Sequence, residues 1–458
     1  MVRDPRDRES GGPLQDALEA WQDEERILYS MPGHKGKDSV WAPLRRSQDV
    51  TEHPGFDDLL CPQGILRESG ENIARAYGAA RSFFLINGAS AGLRAALFSL
   101  PAETREILVP RNAHRSILEG LILRDLDPVF PEPEPGRDPC LPPSPEAYQR
   151  FPTHRAAVVV TETYEGALTD YRDLRGKTLI ADEAHGSHLF HLGLPSGVEY
   201  ADITVHGTHK TLGSLTQSGI LHLRDGAGAG RMQEALGLMQ TTSPSWLLLR
   251  SVEEAVDWWV RARRTGRLEE RCEQVRRLRV RVGAIPGMRN RFPEGSATDP
   301  LRLAIQVSRR RTAGFLRDRL ASGYGICMEG AWGDTLVGLA GPFDDPGADE
   351  RLFSALSAIS REEKLGDDFS REIAIPAVRP TRCMRIRQAF LAASENVPLA
   401  QARGRVAAGL VGSYPPGIPL VVPGELLDPP VLDAIRDLER DERSLQGIAD
   451  GCIRVVRE

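Results

Sequence analysis

From Glu71 onward the chain alternates between two periodicities, and this alternation constrains its fold more than any other feature. ENIARAYGA and ASAGLRAALFSL carry apolar residues at helical spacing, whereas SFFLI, EILVP, AAVVVTE, TLIAD, ADITVH and GILHL are short apolar runs of strand length. Strands this apolar need cover on both faces, and the intervening helices supply it. The expected core is therefore an α/β domain built on a largely parallel sheet. Open sheets of that kind bind ligands beyond the carboxyl ends of their strands, so the residues just past each run are the first candidates for chemistry.

The flanking segments read differently. Residues 1–60 form an N-terminal arm, with a helix over 14–27, the loop MPGHKGK and the turn-rich TEHPGFDD. Residues 61–283 make up the α/β domain. Inside it, PVFPEPEPGRDPCLPPSPEAYQRFP is too rich in proline for a helix or a central strand and reads as a surface excursion. Its last part, 246–282, is mostly helical and crowded with arginine. Residues 284–368 give strand, helix, strand, strand, helix, which suits a small α+β domain, and 369–458 form a C-terminal domain.

Bulk properties exclude several classes. A net charge of −6 over 458 residues, without a long single-sign block, argues against a nucleic-acid or membrane-surface partner. The arginine-rich stretch 261–281 is expected to be solvated or paired with Glu269, Glu270 and Glu273. Every apolar run is broken short of the roughly 18 residues a membrane span needs. The six cysteines are scattered without metal-ligand spacing, as in a reduced cytoplasmic protein. All ten histidines lie between His34 and His222, which places acid–base chemistry in the first half. Only five lysines occur, Lys35, Lys37, Lys177, Lys210 and Lys364, against 53 arginines.

The stretch ADEAHGSH, from Ala181 to His188, spells the DEAH box of nucleotide-driven helicases. That chemistry also needs a glycine-rich loop to cradle phosphates. The nearest match, YRDLRGKT, has Tyr171 where the first glycine belongs and leads straight into the strand that carries DEAH. The helicase reading fails on this point. Glu183, His185 and His188 can also be read as a metal cluster, but alternation after a strand favours hydrogen bonding in support of the site, and no metal is expected.

A different constellation assembles at the strand ends. Lys210 follows the strand ITVH in a loop rich in hydroxyls and glycine, where a lysine can form a Schiff base with an aldehyde cofactor; Thr208 and His209 are its neighbours. NGASAGLRAAL follows a strand and opens a helix with small residues, a place for a phosphate. His114 stands just past EILVP, where its flat ring can stack on an aromatic one. Asp182 ends its own strand, where it can hold a pyridinium nitrogen protonated. These are the parts that pyridoxal phosphate requires.

MPGHKGK, DVTEHPGFDDL, SFFLINGASAGLRAAL, PRNAHRS, ADEAHGSH, THKTLGSLTQSGILH, TTSPSWLLL and SYPPGIPLVVPGE, in this order, closely resemble the Orn/Lys/Arg decarboxylase family of fold-type-I pyridoxal-phosphate enzymes. The chain resembles the family's short form, which lacks the N-terminal wing domain. The resemblance implies a fold-type-I large domain with smaller α+β C-terminal domains. It implies α-decarboxylation of arginine, lysine or ornithine to an amine of polyamine biosynthesis, by a homodimer or higher homo-oligomer. Lys210 would form the internal aldimine, Asp182 would pair with the pyridine nitrogen, and His114 would stack on the ring with Ala184 on the opposite face. Ala89, Ser90 and Ala91 would bind phosphate, His185 would line the site, Thr208 would belong to the cofactor's surroundings, and His209 would sit beside the substrate carbons. Lys210 or His209 would protonate Cα.

His34 and Lys35 are expected in a loop that reaches a neighbouring subunit's site. Glu52, Asp57, Asp58 and Glu329 are candidates for the distal cation of the substrate. Two positions depart from the family's pattern. Gly207 stands where a serine or threonine is usual and Ala89 where a threonine is common, so Ser116 or His206 compensates or the cofactor is held less tightly. Two other outcomes stay open: another reaction at the same cofactor, such as oxidative deamination or aldol-type cleavage, and a non-catalytic regulatory relative.

Overall fold

The computed structural model describes residues 13–22, 24–37, 45–51, 53–134, 141–369, 378–413, 418–440 and 445–457. Seven strands form the central sheet: β1 (Arg81–Leu85), β2 (Glu106–Leu108), β3 (Asp127–Val129), β4 (Ala156–Val160), β5 (Thr178–Asp182), β6 (Ile203–His206) and β7 (Gly219–Leu223). Their order is β1-β7-β6-β5-β4-β2-β3. Strand β7 runs antiparallel to both neighbours, and the remaining pairs are parallel. All six apolar runs are therefore strands. Their side chains are buried on both faces through most of β4, β5, β6 and β7, and each fully buried valine or leucine contributes about 1.5–3 kcal/mol.

The proline-rich stretch holds more structure than its composition suggests. Its first residues lie in β3 despite Pro128, because β3 is the sheet's edge, where one missing N–H interrupts no shared ladder. Pro145–Gln149 is a helical turn with proline at its start, where the absent donor would be unpaired anyway. Residues 135–140 lie outside the described set.

Two helices position the site. Helix α1 (Gly88–Phe98) follows β1, and α2 (Arg115–Arg124) follows β2. Small residues let α1 lie close on the sheet: a Cβ on Gly92 would come within 2.5 Å of Leu85 Cδ1 and 3.0 Å of Val205 Cγ1. Beyond the sheet come the long helices Trp246–Arg264 and Arg267–Gly283. A four-stranded antiparallel sheet then runs in the order Gly330–Trp332, Thr335–Leu339, Arg302–Val307, Met288–Asn290, with helices Ala313–Tyr324 and Ala348–Glu362. The arm joins this unit. After the helix Pro13–Gln22, the strand Ile27–Tyr29 pairs in parallel with Ile326–Met328. Two three-stranded sheets and the helix Pro429–Arg440 make up the C-terminal part.

Arg111 ties that last part to the site. Its guanidinium is bidentate on Glu425, at 2.5 and 2.8 Å, and donates to Leu420 O, which fixes the loop leading to His114. The five described cysteines are unpaired. Among the described residues, no helix is long and apolar enough to cross a membrane.

Candidate active site

A cleft of about 260 Å³ opens at the carboxyl ends of β4 and β5 and at the starts of α1 and α2. It is lined by Ala89 and Ser90 of α1, by His114, by Asp182, Ala184 and His185 after β5, and by His209 and Lys210 after β6. Eight of the residues named from sequence thus meet in one place. Ala91, Gly207 and Thr208 lie behind its wall, where Thr208 Oγ1 is shared between the Ser214 and Ser218 hydroxyls at 2.7 and 3.2 Å.

The amine at the centre of the cleft has an unusual partner. Lys210 Nζ lies 2.9 Å from His185 Nε2. The protein packed around Lys210 pushes its pKa down, with Asp182 opposing the shift. Asp182 is pushed up by burial, while the Lys210 charge and the Ala184 N–H, 3.2 Å from Oδ1, pull it back. His114 caps α2 through Nδ1, which accepts from Ser116 N at 3.2 Å, and burial aided by the Lys210 charge lowers its pKa to about 4. His209 donates Nδ1–H to Ser218 O at 2.9 Å and is also lowered by burial to about 4.

The start of α1 is suited to an anion. Asn87, at the cap position, does not cap the helix with its side chain; its Oδ1 accepts from Thr241 N at 3.1 Å instead. The first N–H groups of α1, beside Ser90, are therefore left without a side-chain cap. Ser116 also lines the cleft, bonded to His114 Nδ1 at 2.9 Å, so it stands where a compensating hydroxyl is useful. His206 does not. It faces away, against Glu183.

Asp182 and Glu183 part at the strand end. Glu183 accepts from Ser196 Oγ, Gly197 N and His206 Nε2, and a buried chain runs on from His206 to His222 and Ser82. Burial raises Glu183 to about 7 despite those donors. His188 belongs to a third group, at 3.1 Å from Asp299 Oδ1. Glu162, His188 and Asp299 bring ligand-type atoms within 4.8 Å of one another, but the Arg302 guanidinium already occupies that charge environment, bonded to Glu162 and 3.6 Å from Asp299.

The residues expected around the substrate are less well gathered. Asp57 is turned to the backbone: its oxygens accept from Asp58, Gln63, Gly64 and Leu66, at 3.0, 3.0, 2.7 and 3.1 Å. Burial pushes its pKa up, but those four donors outweigh it and hold the carboxyl below its usual range. It serves the helix Ile65–Tyr77, whose cap, Gly64, has no side chain, and does not reach the cleft. Glu329 lies behind the cleft wall. Its Oε2 accepts from Met31 N at 2.7 Å, and the Tyr164 hydroxyl stands 3.2 Å from its carbonyl. His34 turns Nδ1 to Gly36 N, and Glu52 lies outside the described residues.

Within its own chain the MPGHKGK loop is closely packed. Gly33 donates to His209 O of the same chain at 2.8 Å, and Lys35 is buried against Ser30 O and Leu339 O. The tight approach of Gly33 to Thr211 and Gly213, 3.0 Å from a hypothetical Cβ, leaves room for glycine alone.

Sequence reasoning missed the wall formed by Asn112 and by Glu162, Thr163, Tyr164 and Glu165. The signal was present: TETYEG follows β4 as EAHG follows β5, at the same edge of the sheet. Arg302, which holds Glu162, comes from a strand 140 residues away and left no local trace.

Residues 12–288 match the model of the Orn/Lys/Arg decarboxylase major domain, and 365–451 match that of its C-terminal domain. An arginine decarboxylase of Halalkalibacterium halodurans is 30% identical, the alignment covering 98% of each chain. One from Bacillus subtilis is 29% identical over 97% of each. Among solved structures, the constitutive lysine decarboxylase of E. coli aligns with a TM-score of 0.76 at 20% identity, over 97% of this chain and 82% of that one. A Sphingomonas wittichii serine palmitoyltransferase shares the fold more distantly, with a TM-score of 0.58. With the site residues converging at the strand ends and the matches spanning most of its length, the chain belongs to the Orn/Lys/Arg decarboxylase family.

Proposed function

We propose that the protein removes the α-carboxylate of a basic amino acid, with pyridoxal phosphate held in the cleft at Lys210. The observation that carries this reading is the convergence of Lys210, Asp182, His114 and the uncapped start of α1 on one cleft. Each answers one part of the cofactor: amine for aldehyde, carboxylate for ring nitrogen, imidazole for ring face, helix N–H groups for phosphate. When bound, the cofactor supplies an electron sink for cleavage of the bond between Cα and the carboxylate.

The chain's own residues do the rest. Lys210, depressed by its surroundings, presents an amine that gives up its proton readily. Asp182 holds negative charge where a ring nitrogen would need a proton. His114 is held at the cleft by its bonds to Ser116. Glu162 and Glu165 are buried in the wall, with Glu162 paired to Arg302.

Arginine is the first substrate to test, because three relatives aligned over 97% or more of the chain carry that name. The resemblance supports a homodimer, and the unpaired cysteines suit a reducing cytoplasm. Incubation with arginine, lysine and ornithine in turn, with CO₂ and amine measured, tests the reading: agmatine with stoichiometric CO₂ is expected. Ammonia or a keto acid would replace it with another reaction at the same cofactor. Protein that stays colourless with added pyridoxal phosphate would point to a non-catalytic relative.

A further inference from the structure

We propose that His185 is the acid–base partner of Lys210: Nε2 takes a proton from the lysine ammonium, leaving the lone pair that attacks an aldehyde carbon, and returns it when the amine is released. The inference rests on the reading of Lys210 as the nucleophile.

Three imidazoles stand around this amine, and only one is placed to serve it. His114 spends its Nδ1 lone pair on the Ser116 N–H, so its lone pair points into its own helix cap. His209 donates Nδ1–H to Ser218 O, and its contacts run to that carbonyl. His185 Nε2 alone lies at hydrogen-bond distance, 2.9 Å, from Nζ. Accepting there places the ring proton on Nδ1, which is buried and has no hydrogen-bond partner among the described residues. The ring has no other hydrogen bond among those residues, and the Tyr164 ring packs edge-on at 5.8 Å.

Transfer within the pair leaves its total charge unchanged. No carboxylate lies within ion-pair distance of Nζ among the described residues; Asp182 Oδ1 is turned to the Ala184 N–H. The groups facing the pair are Asp182 on the same segment, His209 after β6, His114 before α2, Glu162, Tyr164 and Glu165 after β4, and Arg302 and Glu329 behind them. Burial depresses His185 first, and the Lys210 charge depresses it further. That second effect disappears once the lysine proton leaves, so the two groups titrate as one pair that shares a proton.

The step balances without a further reagent. The ammonium becomes an amine and the imidazole an imidazolium. The amine and an aldehyde then give an imine and water.

The test uses the full chain without added cofactor, so it does not depend on decarboxylation. Formaldehyde with cyanoborohydride methylates accessible amines, and peptide mapping resolves all five lysines. The exposed Lys364 is the reference, and the buried Lys35 reports folding. His185→Gln keeps a hydrogen-bonding side chain but cannot take the proton. It is expected to lower Lys210 labelling at pH 7 about tenfold relative to Lys364, equivalent to a midpoint about one pH unit higher. His209→Gln is expected to leave that ratio within about twofold. In turnover, His185→Gln should lower kcat by on the order of 10²-fold with KM nearly unchanged.

Labelling of Lys210 in His185→Gln within twofold of the parent overturns the proposal, as does an equal loss in His209→Gln. If Lys35 loses its protection in the variant, NMR of the parent decides: ¹³C-labelled Lys210 and the His185 ring must move through common titration steps, and separate midpoints overturn the idea. A tenfold labelling change in a chain that decarboxylates nothing would sink the proposed function and leave this pair standing.

Discussion

Lys35 and Lys210 are both driven toward the neutral amine by the protein around them, yet their partners make them opposites. Lys35 Nζ donates to Ser30 O and Leu339 O at 2.9 and 2.8 Å and has Asp344 Oδ1 at 3.8 Å. Asp344 is itself held by Arg271 at 2.8 Å. Lys210 has a single imidazole nitrogen. A buried ammonium that donates to two carbonyls beside a carboxylate is a strut, because its protons are held by oxygen acceptors. One that faces a neutral base can shed its proton and react. The number and kind of acceptors, more than burial, separates the structural lysine from the chemical one.

The sharpest way to break this contrast is to replace each lysine with methionine. Lys210→Met should abolish decarboxylation, by more than about 10⁴-fold, and leave no imine for borohydride to reduce. It should also leave the fold as stable or more so. A lysine with a depressed pKa weakens the folded state wherever the unfolded chain still holds its proton. The gain on removing it is therefore present near neutrality and fades as pH rises toward 10.5. Urea denaturation at pH 7 and pH 10 measures this, and a large loss of stability at pH 7 would place Lys210 with Lys35.

Acid should act on the Lys210 side of the molecule. Burial holds His114 and His209 at about 4, His191 and His206 at about 3, and His185 and His222 well below 6.5. Below pH 6.5 the unfolded chain takes up protons that these six refuse in the fold, so stability is full above that value and is lost as pH falls toward 4. Glu183, raised to about 7, works the other way: its penalty grows as pH rises from 4.5 to 7. Glu162, Asp182 and Asp344 are raised by burial as well, so six histidines stand against four carboxylates, and the denaturation midpoint should drop between pH 6.5 and 5. A flat profile would mean that the histidines are charged in place.

Lys35→Met is expected to be smaller and of opposite kind. It strands two carbonyls and leaves Asp344 to Arg271 and the Gly341 N–H, for a loss of about 1–3 kcal/mol. Turnover per folded molecule should stay within about threefold of the parent, since Lys35 is outside the cleft lining. Denaturation and kcat measured together separate the two effects.

The contrast between the lysines was half legible in the sequence. Lys210 follows a strand, and position at a strand's carboxyl end is a local property, as it is for Asp182 and for Ser90 at the start of α1. Lys35 read as a loop residue because its acceptors come from Leu339 and Asp344, some 300 positions away. Asp57 misled for the related reason that a carboxylate in a turn-rich run looks solvated until the N–H groups of Gln63, Gly64 and Leu66 fold onto it. Glu162 and Arg302 are invisible as a pair until two distant strands meet. Strand-end placement follows from periodicity, whereas the partner of a buried charge is a tertiary fact.

The smallest expected effect concerns Gly207, and it bears on Lys210 directly. The family resemblance suggested that a missing hydroxyl there loosens the cofactor. The backbone suggests a different reason for glycine: a Cβ would sit 2.9 Å from Ala184 O and 3.3 Å from Lys210 Cδ. Gly207 N also donates to that carbonyl, at 3.3 Å. A serine would therefore push Ala184 and the lysine stem apart before its hydroxyl could help anything. Gly207→Ser should cost about 1–3 kcal/mol of stability and weaken binding of pyridoxal phosphate rather than tighten it. Tighter binding, measured by the rise of absorbance with added cofactor, would show that Ala184 yields easily. Lys210 would then be held by its hydrogen bond to His185 and not by the packing of its stem.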